Sequence, residues 1–168
     1  MDYDLIVPWI PNLRRYARAL VGDRHGADDL VQDTLERAVR KFHLWRPGDL
    51  RAWLFSIMHN VFVNQLKARR IAPEVEADDS LVAPSSSVSG ADLADLERAL
   101  GRIAPEQREV LLLVGLEEMT YAEVSRTLGI PMGTVMSRLS RGRERLRHLM
   151  DVENSRANLR VVRSEPGP

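Results

Sequence analysis

The stretch from Thr120 to His148, TYAEVSRTLGIPMGTVMSRLSRGRERLRH, constrains the fold of this chain more than any other. Thr120 followed three residues later by Glu123 is a capping-box pattern, in which hydroxyl and carboxylate satisfy exposed backbone N–H groups at a helix start. The spacing therefore predicts a helix to about Leu128, ended by Gly129. Ile130 and Pro131 make a tight corner, and proline suits a first helical turn, where its missing N–H has no partner to lose. A second helix is predicted from about Met132. Val135, Leu139, Leu146 and Leu149 fall on one face of it, and Gly142 on the same stripe would let a neighbouring helix approach closely. Ser137, Arg138, Arg141, Arg145 and His148 point away from that face. This is the layout of a helix-turn-helix, whose second helix brings cationic and polar side chains to phosphates and base edges in a major groove. The same residues would also suit an amphipathic helix with a solvated charged face, but the corner ahead and the scarcity of acids among the arginines favour the DNA-binding reading.

Apolar spacing is helical almost throughout, which predicts an all-α chain. Leu13, Tyr16, Ala17 and Leu20 mark one helix; Leu30, Val31, Thr34, Leu35, Ala38 and Val39 mark a second, with Gly22 and Gly26 bracketing the turn between them. A third should follow Pro47-Gly48, with Asp49 as N-cap and Trp53, Leu54, Ile57, Met58, Val61 and Leu66 on its buried side. From Ile71 to Gly90 the text becomes rich in Pro, Ser, Ala and acid with no sustained period, the composition of a flexible linker. Periodicity resumes with Leu93, Leu96, Leu100 and Ile103, and again after Pro105 with Val110, Leu111, Leu113 and Val114. The expected organisation is two small helical domains, residues 1–70 and 91–153, joined by a linker over 71–90 and followed by a tail over 154–168 that lacks a core-forming pattern.

A net charge of zero conceals segregation. Residues 1–70 carry 12 basic and 8 acidic side chains, 71–119 carry 3 and 11, and 120–150 carry 6 and 2. Two basic regions flanking an acidic middle fit two nucleic-acid surfaces on one chain. No cysteine is present, which excludes disulfides, thiolate-bound zinc and direct thiol sensing. No apolar run approaches the roughly 18 to 20 residues of a membrane span, and the start MDYDLIVPWIPNLRR lacks the form of a signal peptide, so a cytoplasmic location without membrane insertion is expected. His25, His43, His59 and His148 are not at metal-ligand spacing, no glycine-rich phosphate loop occurs, and the adjacent Asp28 and Asp29 diverge by about 100° on a helix. Neither catalysis, nor a metal, nor a cofactor is expected.

Three blocks, GADDLVQDTLERAVRKF, LRAWLFSIMHNVFVNQLKARR and APEQREVLLLVGLEEMTYAEVSRTLGIPMGTVMSRLSRGRERL, together resemble the bacterial extracytoplasmic-function sigma factors, built of a sigma-2 and a sigma-4 domain joined by a linker. The resemblance covers all but the linker and tail. It implies an alternative sigma factor that binds core RNA polymerase, directs it to promoter DNA in a stress response and is held by an anti-sigma factor. By residue match it implies a polymerase-docking surface at Asp29, Gln32 and Asp33. Acids and an amide there suit a basic partner helix, although Asp28 and Asp29 would also favour the positive end of their own helix.

The resemblance further places Trp45 and Asn60 at a pocket for an extruded minus-10 base. An aromatic ring can stack on such a base and an amide can hydrogen-bond its Watson–Crick edge. Asn64 would contact DNA or stand exposed, and Lys67, Arg69 and Arg70 would hold the backbone. In the helix-turn-helix the implied minus-35 contacts are Ser137, Arg138, Arg141 and Arg145. Met136 and Ser140 depart from the arginine and aromatic that some relatives carry, so base preference does not transfer; Met136 suits a thymine methyl group or packing equally. The alternative function is a sigma-like mimic that sequesters an anti-sigma factor without recruiting polymerase.

Overall fold

The computed structural model describes residues 3–71 and 90–163. Among these it is all-α: after two short 3-10 turns come α1 (Ile10–Val21), α2 (Arg24–Lys41), α3 (Leu50–Ile71), α4 (Gly90–Gly101), α5 (Pro105–Gly115), α6 (Tyr121–Leu128) and α7 (Met132–Arg163). The proposed linker falls largely on residues 72–89, outside the described residues.

The first unit is α1 to α3. Gly22 ends α1 at φ 86°, a left-handed conformation that glycine adopts without a Cβ penalty, with its N–H on the Arg18 carbonyl. Asp23 then caps α2 by accepting from the Gly26 N–H. The predicted cap at Asp49 is formed too, its carboxylate accepting from the Ala52 N–H at 3.1 Å. Leu13, Leu20, Leu30, Leu54 and Met58 are fully buried, and Tyr16 meets Phe55 edge-on with centroids 5.1 Å apart. Thr34 is buried without penalty because its hydroxyl donates to the Leu30 carbonyl at 2.7 Å. Val39, expected on the buried stripe, is instead 42% exposed.

In the second unit the predicted capping box is complete. The Glu123 N–H donates to Thr120 Oγ1 at 3.2 Å and the Thr120 N–H to Glu123 Oε2 at 2.9 Å. Gly129 closes α6 at φ 65°, and α7 begins at Met132. At Gly142 a Cβ would lie 3.0 Å from two Leu111 side-chain carbons and 3.4 Å from Gln107 Cβ, so α7 touches α5 at a distance only glycine permits without a shift. A Gly142→Val chain should accordingly lose about 1–3 kcal/mol from overpacking, read as a thermal midpoint lowered by several degrees.

Two features differ from the sequence reading. Helix α7 continues to Arg163, through residues 154–163 of the segment assigned to the tail, whose remaining residues lie outside the described ones. Glu153 ties it locally, lying 3.8 Å from both Arg98 of α4 and Arg156 one turn on. The two units are also not held apart: α1 packs on α4 and α5, α3 packs on α6, and the buried apolar residues of both units form one contiguous cluster. Periodicity reports which face of a helix is buried, and says nothing of which polar faces meet.

Candidate nucleic-acid and polymerase surfaces

Because each residue turns about 100° along a helix, the arginines of α7 divide between two flanks. One flank opens onto a groove of about 340 Å³ lined by Tyr121, Met136, Leu139, Ser140, Arg143, Glu144 and Arg147. The other lines a second groove, with Arg141, Glu144, Arg145 and His148 facing Arg102 in the turn after α4 and Gln107 in the first turn of α5. Ser137, Arg141 and Arg145 are exposed, so three of the four sequence-predicted minus-35 residues stand open. Arg138 does not share that setting: it is half-buried, and its charge acts on the buried Glu109. Sequence reasoning omitted Tyr121, Arg143 and Arg147. Their signal was present, since Met136, Ser140, Arg143 and Arg147 follow an i, i+4, i+7, i+11 stripe beside the first residue of α6.

In the first unit Asn60, Asn64 and Lys67 follow the same spacing on α3 and are all exposed, forming one polar stripe. Arg69 and Arg70 are exposed in its last turn. Trp45 leaves the 3-10 turn Phe42–Leu44 half-buried, with its ring stacked on Phe42 at 5.5 Å and 29°. Phe42 in turn meets Trp53 edge-on at 6.4 Å, so the loop tryptophan is buttressed from one side by an aromatic chain.

Asp29, Gln32 and Asp33 sit at i, i+3 and i+4 on α2, all exposed on one side. Their contacts are light: His25 is 3.7 Å from Asp29, Gln32 donates to Glu36 at 3.5 Å, and Gln65 of α3 donates to Asp33 at 3.3 Å. Next to them α1 and α2 form a groove of about 910 Å³, whose apolar floor is the buried Val31, the half-buried Leu35 and the exposed Val39, between Arg14, Arg18 and Arg40. The exposure of Val39 thus belongs to this groove.

The most buried charges lie where the units meet. His59 Nδ1 and Glu109 Oε1 are 2.6 Å apart, and Glu109 is 2% exposed. Burial pushes the Glu109 carboxyl up, while the hydrogen bond and charge of His59 and the charge of Arg138 pull it back down. The Tyr16 hydroxyl is raised well above its ordinary value by burial and by the nearby Glu109 and Glu117. Arg108 donates to the Leu20, Ile103 and Gly101 carbonyls, joining the ends of α1 and α4, and burial lowers its pKa. Among the described residues no group of three or more acidic or histidine side chains is placed to hold a metal, and no helix is long and apolar enough to cross a membrane.

Comparison with known proteins follows the same two units. Residues 6–59 match the family described as the sigma2 domain of PhyR, and residues 93–146 match sigma-70, region 4. The chain is 37% identical over 158 residues to the ECF RNA polymerase sigma factor EcfG of Rhodopseudomonas palustris (strain TIE-1), covering 90% of this chain and 86% of that protein. It is 34% identical over 149 residues to the ECF RNA polymerase sigma factor SigE of Mycolicibacterium smegmatis, covering 84% of this chain and 58% of the relative. A solved structure of the sigma factor RpoE in complex with the anti-sigma factor NepR from Bartonella quintana superposes with a TM-score of 0.72 at 32% identity, over 89% of this chain and 98% of the other.

Proposed function

The chain belongs to the extracytoplasmic-function RNA polymerase sigma factors, and from that premise we propose how its surfaces divide the work. It binds core RNA polymerase and directs promoter-specific initiation, with polymerase performing the chemistry. The observation that carries this is a relationship running through both units, over 90% of the chain, and not through the helix-turn-helix alone. The setting is cytoplasmic, in a stress response, with an anti-sigma factor as regulatory partner.

Asp29, Gln32 and Asp33 dock polymerase: their light contacts leave carboxylates free for charge-assisted hydrogen bonds to a basic partner helix. Asn60 and Trp45 capture the minus-10 base, the amide reading its edge and the buttressed ring offering a stacking face. Asn64, Lys67, Arg69 and Arg70 continue along the melted strand. Ser137, Arg138, Arg141 and Arg145 read or grip the minus-35 duplex, Arg138 from a half-buried position.

A second reading, a mimic that sequesters an anti-sigma factor without recruiting polymerase, is favoured by one observation, the match of residues 6–59 to the sigma2 domain of PhyR. In vitro transcription with purified core polymerase separates the two. Initiation from a defined promoter start is the expected result; a chain that leaves core polymerase without promoter preference would support the mimic.

A further inference from the structure

Trp45 is held by more than its own turn. Its N–H donates to the Phe42 carbonyl at 3.1 Å, and its backbone is extended at φ −69° and ψ 131°, leading out of the helical region. Its ring lies on Phe42, and Phe42 meets two further rings: Trp53 of α3 at 6.4 Å and 72°, and Tyr3 at 6.1 Å and 55°. Tyr3 opens the N-terminal 3-10 turn Tyr3–Leu5, far from Phe42 in sequence. A short anchored segment brings it there. Ile6 is 3% exposed and its N–H donates to the Tyr3 carbonyl at 2.9 Å, while the Trp9 N–H donates to the Ile6 carbonyl at 2.9 Å.

A ring that receives a base needs one face supported and the other open, and the half-buried Trp45 stacked on Phe42 has that setting. The local chain does little to fix it. Trp45 to Asp49, WRPGD, lies outside the helices, so no backbone ladder orders the residues that follow the ring. Phe42 is half-buried too, at the first position after α2. Its rotamer is set by the rings around it: Trp53 supplies one contact and Tyr3 the other. An edge-on or tilted aromatic pair biases an equilibrium by about two- to tenfold beyond its buried area. Without Tyr3, Phe42 keeps one of its two supports, and the ring stacked on it inherits the freedom.

We propose that Tyr3 is a positioning residue for Trp45: acting through Phe42, it holds the loop tryptophan in the orientation that receives the extruded minus-10 base, which makes the N-terminal turn part of the minus-10 site. For its consequence the proposal rests on the reading of Trp45 as the base-stacking residue. Tyr3 acts without touching DNA. A ring ordered in advance loses less side-chain freedom when the base arrives, so a preset Trp45 favours the captured state. The effect belongs to promoter opening, and leaves polymerase docking on α2 and duplex binding by α7 as they are.

The chain has three tryptophans, Trp9, Trp45 and Trp53, so protein labelled with 5-fluorotryptophan reports each by its own fluorine resonance, that of Trp45 being assigned by its loss in Trp45→Phe. Tyr3→Leu should shift and broaden the Trp45 resonance, whereas Tyr3→Phe, which keeps the ring, should leave it in place; Phe42→Leu should move it further. Thermal melts of the free chains separate these changes from a lost fold. In holoenzyme on a promoter from which the wild-type chain initiates, Tyr3→Leu should lower the open-complex fraction about two- to tenfold, read by permanganate reactivity of unpaired thymines. Tyr3→Phe should match wild type, and Tyr3→Leu should cost nothing further in a Trp45→Ala chain, where the interaction is already gone. An unchanged Trp45 resonance in folded Tyr3→Leu, or an opening deficit equal with and without Trp45, overturns the positioning role. A Trp45→Ala chain that opens the promoter like wild type overturns the base-stacking reading instead, with the fluorine resonance still deciding whether Tyr3 holds the ring.

Discussion

Replacing Asp29 and Asp33 together by lysine should weaken core-polymerase binding by at least roughly thirtyfold, since losing one partner of a desolvated, hydrogen-bonded charge pair costs about 2–5 kcal/mol and reversal adds repulsion. The fold should survive, because both side chains are exposed and, among the described residues, the one hydrogen bond between helices at risk is that from Gln65 at 3.3 Å. Binding measured by fluorescence anisotropy, beside a thermal melt of the free variant, checks it. A double variant that melts normally and binds core polymerase like wild type would show that docking uses another face, the α1–α2 groove first among them.

The second large effect separates the two DNA surfaces by the state of their DNA. Arg141→Ala should weaken closed-complex formation by about 1–3 kcal/mol, the range for a bidentate base contact, and act on duplex minus-35 DNA. Asn60→Ala should reduce open complex and recover in part on a template already melted at minus-10, because the amide acts only after the base leaves the stack. Comparing both variants on duplex and premelted promoters makes the distinction. An equal deficit for Asn60→Ala on the two templates would rule out base capture.

What the sequence revealed and concealed follows from the range of the forces involved. The caps at Asp49 and Thr120, the stop at Gly129 and the close approach at Gly142 depend on neighbours within one helical turn or on one stripe, and all appear as read. The exposed stripe of Asn60, Asn64 and Lys67 is legible for the same reason. Glu109 is not. On α5 the expected inward residues were Val110, Leu111, Leu113 and Val114, yet Glu109 is buried with Val110, Leu112 and Leu113, because a histidine 50 residues away in sequence completes its environment. Arg138 also departs from what period alone suggests: it sets the side chain outward, yet Arg138 is half-buried. Loss of period after Asn154 suggested a tail, but a helix needs only its backbone ladder and a few side-chain ties to continue, and α7 runs on to Arg163.

The inward turn of several cations alters what a titration against salt would count. Arg108 sits among carbonyls at the ends of α1 and α4, and Arg15 and Arg51 lie against Glu117 and Glu123. Only a cation that reaches a phosphate displaces condensed counterions, each contributing about −0.9 to the logarithmic slope on duplex DNA. With Arg15 and Arg51 so paired, the contributors expected from the proposed surfaces are the outward arginines of α7 and the end of α3. The polyelectrolyte character of the chain therefore belongs to where its arginines are placed and not to its arginine count.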